Sequence, residues 1–355
     1  MASGGQERFR DTLLIERFAS ILRFDKLSAR VLGSGKYGPH LLLGSMIALS
    51  YVFRASLLVA EPWRLATSAA IIGGLWLGLI GAIHMRNGYT TAVTKLQLDR
   101  RPTDHNPSQF ETIVPLRAQI AIYVLAVVAT YLNVFFGIGL DTLISEAGTW
   151  PILVRLFVAT PLAYIPIIID VGTMFLGVHF LLPRRLAEKD LNLFFYDPRN
   201  MGGFAPIGQL LKRSYYIYTG GLLAYFFFIY IPIIFSGVIE SSYEANPATA
   251  VFFSLAWLVG VVSIGYSMWK VHTLMANKKE QRLQELEEDL QNVIENPYDI
   301  RTSSVSDEGR LDEITRRLDH VRSMKEYPTT FTMWSQILIS VILPQILNMS
   351  VQIVG

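Results

Sequence analysis

The chain has no cysteine. That removes disulfides, thiolate metal sites, iron–sulfur clusters and cysteine nucleophiles at once, while leaving the redox compartment open. Strong net charge is missing as well. The formal value is +2 over 355 residues, too little for a general attraction to nucleic acid. Residues 1–37 lack the short apolar core and small-residue cleavage site of a signal peptide. Catalytic spacings are absent: there is no GxSxG, HExxH or phosphate-loop pattern. The last apolar run holds no lysine for a retinal Schiff base. Of the histidines, His40, His84, His179 and His272 stand singly at the ends of apolar runs, and none pairs at i, i+3 or i+4. Neither an enzyme, a metal centre nor a cofactor is expected.

What is present is apolar length. Hydrophobic residues make up 51% of the chain, which points to lipid as the main solvent. A helix needs about 20 apolar residues to cross about 30 Å of hydrocarbon. Seven runs qualify, at roughly 39–60, 66–84, 118–144, 152–182, 216–239, 248–271 and 329–354. The expected fold is all-α: a polytopic bundle of seven transmembrane helices with a cytoplasmic helical hairpin.

Positive charge is then missing from alternate gaps. Of 31 Lys and Arg, 28 fall in 1–37, 85–117, 184–214 and 270–328. The opposite gaps carry Glu61, Glu146, Glu240 and Glu244, and only Arg64 among the basic residues; Arg54 and Arg155 lie inside runs. Basic loops stay cytoplasmic during insertion. The N-terminus is therefore expected inside and the C-terminus outside, in a cell membrane. The parts are a cytoplasmic amphipathic segment 1–37, a six-span bundle 38–273, a hairpin 274–328 and a final span 329–355.

Two amphipathic stretches flank the bundle. Phe9, Leu13, Leu14, Phe18, Ile21, Leu22 and Phe24 recur near helical spacing among arginines. They fit a helix lying on the inner leaflet, or one packed on cytoplasmic loops. Later, Leu283, Leu286, Leu290 and Val293, then Leu311, Ile314, Leu318 and Val321, follow three-four-three spacing. Each seam is about two heptads long and needs a partner. The pair reads as a hairpin capping the bundle, or as a collar holding copies of the chain together. A cytoplasmic partner binding over 276–325 is the remaining option.

Intramembrane polar residues are costly and mark either packing or function. Counting helical rise from Pro183 puts Asp170 about 20 Å from the cytoplasmic border, with Asn133 about 22 Å deep and Arg54 and Gln345 about 24 Å deep. The four would share one layer, as a structural network or as an ion site centred on Asp170. In the last run Thr332, Gln336, Ser340, Pro344, Asn348 and Gln352 recur every four residues, with Gln345 adjacent. Such a ridge suits an ion pathway or interhelical hydrogen bonds. Gly73, Gly74, Gly78 and Gly81 predict close helix approach. The loop Asp197-Pro198-Arg199-Asn200-Met201-Gly202-Gly203-Phe204-Ala205-Pro206-Ile207-Gly208 is dense in turn signals. Arg199, Gly202 and Gly203 would cradle an anion, or the loop would simply seat the next helix.

That loop resembles one found in prokaryotic, chiefly archaeal, multi-pass membrane proteins. In topology the chain also resembles the insect chemoreceptor type of seven-helix ion channel. That resemblance implies a sixth helix running on toward Asn296, a cytoplasmic helix at 307–325 and a pore-lining last span. Gln336, Ser340, Asn348 and Gln352 would face the pore of a homo-oligomer. The sequence departs from that group's signature, with no Phe after Gln336. A secondary transporter using Asp170 as coupling group, and a sensor or scaffold acting through the hairpin, are the other expectations.

Overall fold

The computed structural model describes residues 13–52, 62–97, 110–189, 191–234, 247–299 and 301–328, together with Ile342 and Ile346. The chain is helical almost throughout. In order come α1 (Leu14–Ile21), α2 (Phe24–Leu32), α3 (Gly38–Val52), α4 (Pro62–Lys95), α5 (Leu116–Leu132) and α6 (Leu140–Ala147). There follow α7 (Thr149–Glu188), α8 (Ala205–Ile234), α9 (Pro247–Val293) and α10 (Glu308–Ser323).

Among the described residues, four stretches are long and apolar enough to cross a bilayer: Leu65–Lys95, Leu116–Gly137, Thr149–Glu188 and Val251–Val293. They face outward in the way lipid demands. On α5 the only buried side chain is Gln119, while Ile120, Val124, Leu125 and Val128 are exposed. Polar inside and apolar outside is the reverse of a helix in water. The count of seven spans and the orientation of the two ends are not shown by these helices. The last apolar run lies outside the described residues.

Several boundaries differ from the apolar runs. The run 118–144 is not one helix: a π-helical turn, Asn133–Ile138, follows α5, and Gly139 at φ +87° breaks the chain before α6. The helix α7 extends 40 residues, about 60 Å and so twice the hydrocarbon thickness. The helix runs on past Pro183 to Glu188.

The spacing of glycines on α4 does what it predicts, because a missing Cβ lets backbones approach. A Cβ on Gly81 would overlap Ile217 of α8, and one on Gly78 would lie 3.0 Å from Ile167 of α7. The helix α9 is a single rod of 47 residues that leaves the apolar bundle and pairs with α10. Its seam is the expected one. Leu283, Leu286, Leu290 and Val293 meet Leu311, Ile314, Leu318 and Val321 in one cluster, joined by Phe195. The chain turns between them through a short antiparallel pair, Ile294–Glu295 with Ser304–Val305. Asp307 caps α10 by accepting the amide of Arg310 at 3.0 Å.

Candidate functional site

Over its described residues, 13–37, the N-terminal segment is two helices and not one. It bends at Arg23, whose φ is +62°, into α1 and α2. The helix α1 is set among α3, α5 and α7, with Leu13, Leu14, Ile15 and Ala19 buried. Its first turn points at Asp170. The carboxylate, 1% exposed, accepts the amide of Leu14 at 2.8 Å and that of Ile15 at 3.0 Å. These are two of the donors that every helix start leaves orphaned, and the helix dipole favours an anion there. Charge-assisted bonds of this kind contribute roughly 1.5–3 kcal/mol each.

Next to this clasp, Glu16 receives the amide of Leu13 at 3.2 Å and pairs with Arg86 of α4. Phe18 meets Tyr123 of α5, ring centroids 5.4 Å apart. Asp170 thus lies within one turn of a residue paired to an arginine at the basic end of α4.

The polar layer expected around Asp170 does not assemble among the described residues. Asn133 is exposed and lies at the other end of α5. Its neighbour Tyr131 donates to the Leu156 carbonyl, 14 residues and about 21 Å along α7 from Asp170. Arg54, Gln336, Ser340, Gln345, Asn348 and Gln352 lie outside the described residues.

The glycine loop is built for packing. The Asp197 carboxylate accepts the amides of Arg199 at 3.1 Å, Met201 at 3.2 Å and Gly203 at 3.0 Å. The backbone amides that an external anion would use at Gly203 and Arg199 are therefore taken by Asp197. Gly202 and Gly203 adopt φ of +59° and +79°, which side chains resist. The carbonyl of Asn200 accepts the amide of Lys325 at 2.8 Å. A Cβ on Gly208 would overlap the Pro328 carbonyl.

Residues 324–328 are stitched to α9 as well. Lys279 donates to the Met324 carbonyl at 2.9 Å and pairs with Glu326 at 3.3 Å. His272 lies 3.1 Å from the Glu326 carbonyl, which requires its Nδ1 to carry the proton, and stacks on Tyr327 at 4.1 Å. Loop 197–208, α8 and α9 together make a rigid seat for the chain just before residue 329.

Two further features escaped sequence reading. On α7 a wide π-helical stretch runs from Arg155 to Tyr164, and the Ile165 amide bonds the Thr160 carbonyl five residues back. In that register Pro161 and Pro166 leave the carbonyls of residues 156 and 161 without amides. Tyr131 donates to the first at 3.3 Å and Tyr123 to the second at 3.0 Å. At the junction of three helices, buried His179 lies 2.8 Å from Ser214 of α8 and 3.1 Å from Ser267 of α9. The two prolines five apart and His179 were visible in the sequence; the tyrosines and serines that answer them carried no local signal. No family model, curated protein or solved structure matches this chain.

Proposed function

We propose that the protein is a seven-span integral membrane protein, with the N-terminal segment and hairpin cytoplasmic and the C-terminus outside. We further propose that it is a homo-oligomeric channel, passing cations along its seventh span. The observation that carries the reading is the seat at residues 324–328. An unbroken α9 leaves the apolar bundle, folds back through α10 and delivers a fixed chain end to the start of the last apolar run. A pore-lining helix needs that kind of anchored base, and the arrangement agrees with the topology of the insect chemoreceptor type of channel. Movement of the hairpin would pull directly on residue 329.

The test is the purified chain in detergent and in planar bilayers. A ring of subunits with cation-selective single-channel currents, altered by Gln336→Ala and Asn348→Ala, is the expected result. A monomer that passes no current would sink the proposal.

One observation favours a second reading, a secondary transporter. Asp170 is a buried carboxylate within an apolar helix, capped by the first turn of α1. Uptake that depends on pH and is lost in Asp170→Asn would support it. The scaffold reading requires instead that deleting 276–325 abolish function while Asp170→Leu leaves it intact.

A further inference from the structure

A cavity of about 630 Å³ opens between α4, α7, α8 and α9. Its walls are apolar, formed by residues such as Ile167, Ile168, Leu222 and Phe228. It is kept open by a glycine: at Gly221 no atom lies within 4 Å of where a Cβ would stand. Polar groups gather toward one end, where Arg155, Thr160 and Tyr164 line it. Another lining hydroxyl, that of Tyr218, already donates to the Ala256 carbonyl at 2.5 Å. From Arg155 to Val171 the cavity follows sixteen residues of α7, at most about 24 Å of helix.

Arg155 is the unusual member. It is partly buried inside an apolar span, and among the described residues no hydrogen bond or ion pair engages its guanidinium. The neighbouring Tyr164 hydroxyl is 3.1 Å from Ser50, which itself donates to the Met46 carbonyl, so Tyr164 is turned to α3. A cation in such surroundings is costly without a counter-charge. Its five fixed donors match a carboxylate or a phosphate.

We propose that this cavity binds an anionic amphiphile, with its carboxylate or phosphate on Arg155 and its hydrocarbon chain between Gly221 and Ile168. A neutral apolar ligand would leave the guanidinium unpaired. A small soluble anion would leave the apolar walls unfilled. Only a molecule with one charged end and a long apolar body satisfies both. The site is independent of the channel reading, because binding is measured without currents.

The experiment uses the full chain in phosphatidylcholine nanodiscs with radiolabelled oleate and, in parallel, oleyl alcohol. Saturable oleate binding near one per chain is expected. Arg155→Gln should weaken oleate by about tenfold or more, the loss of one charge-assisted contact, and leave oleyl alcohol unchanged. Arg155→Lys should retain part of the affinity, because it keeps the charge and loses the planar fork of donors. Gly221→Phe, with Gly221→Leu as the milder form should the first fail to fold, should remove both ligands by filling the cavity. Competition by phosphatidylglycerol would assign the headgroup to a lipid phosphate; its absence would assign a free carboxylic acid. Equal oleate binding by wild type and Arg155→Gln would overturn the proposal, as would binding that survives Gly221→Leu.

Discussion

The carboxylate of Asp170 accepts the amide of Leu14 at 2.8 Å, joining positions 156 residues apart. A side chain in the long membrane-length helix thereby caps a short helix from the start of the described chain. At eight residues, α1 is too short to persist alone in water, so this cap and its buried face decide whether it forms. The contact also turns an expensive intramembrane carboxylate into a satisfied one.

Removing the cap should free α1. Asp170→Leu leaves two amides facing an apolar group, a cost of roughly 1–3 kcal/mol each; Asp170→Asn keeps an acceptor and should cost less. Because the chain has no cysteine, Ala19→Cys supplies a single reporter at a buried position. Its reaction with a water-soluble maleimide is expected to be slow in the parent and fast beside Asp170→Leu. Equal rates would show that Asp170 does not hold the helix.

The proline–tyrosine pairs on α7 make a sharper energetic prediction. Tyr131→Phe removes the donor to the Leu156 carbonyl and should cost about 1 kcal/mol in mixed-micelle unfolding. With Pro161→Ala the backbone regains an amide, so the same substitution should then cost less. The double-mutant cycle reads the difference.

The hairpin seam should behave as a core. Leu286 and Leu318 are 1% and 4% exposed, and Leu→Ala at either should cost about 2–5 kcal/mol locally. The expected sign is rapid proteolysis after residue 276, while the span segments stay protected. Arg317→Ala, at an exposed ion pair with Glu313, should change little.

At the turn joining the hairpin, the carboxyl of Asp299 is held below the usual range, first by the Arg301 amide and then by the Thr302 hydroxyl. A depressed carboxyl stabilises the turn above its unfolded pKa, near 3.9, and that contribution is lost as pH falls through the lower folded value. Hydrogen-exchange protection of Arg301 should therefore be steady at pH 5–7 and decline below about pH 4. Asp299→Ala should abolish the pH dependence; an unchanged profile in that variant would refute the assignment.

Periodicity made much of this molecule readable in advance. Four of the seven apolar runs coincide with helices long enough to cross a bilayer, the small residues of α4 announced close packing, and the three-four-three spacing named all eight residues of the hairpin seam. Those features are local, since neighbours three or four apart on one helix share a face whatever the rest of the chain does. Span edges were less legible, as α7 and α9 continue as helix beyond their apolar runs and composition stops marking where a helix ends.

Tertiary structure alone decided the polar pairings. Asp170 with the start of α1, Tyr131 with Leu156, His179 with Ser214 and Ser267, and Arg155 facing a cavity all join residues of different helices. In a low-dielectric interior every polar group must find a partner, but sequence spacing does not say which one. Only the packing of the helices brings the donor and the acceptor together.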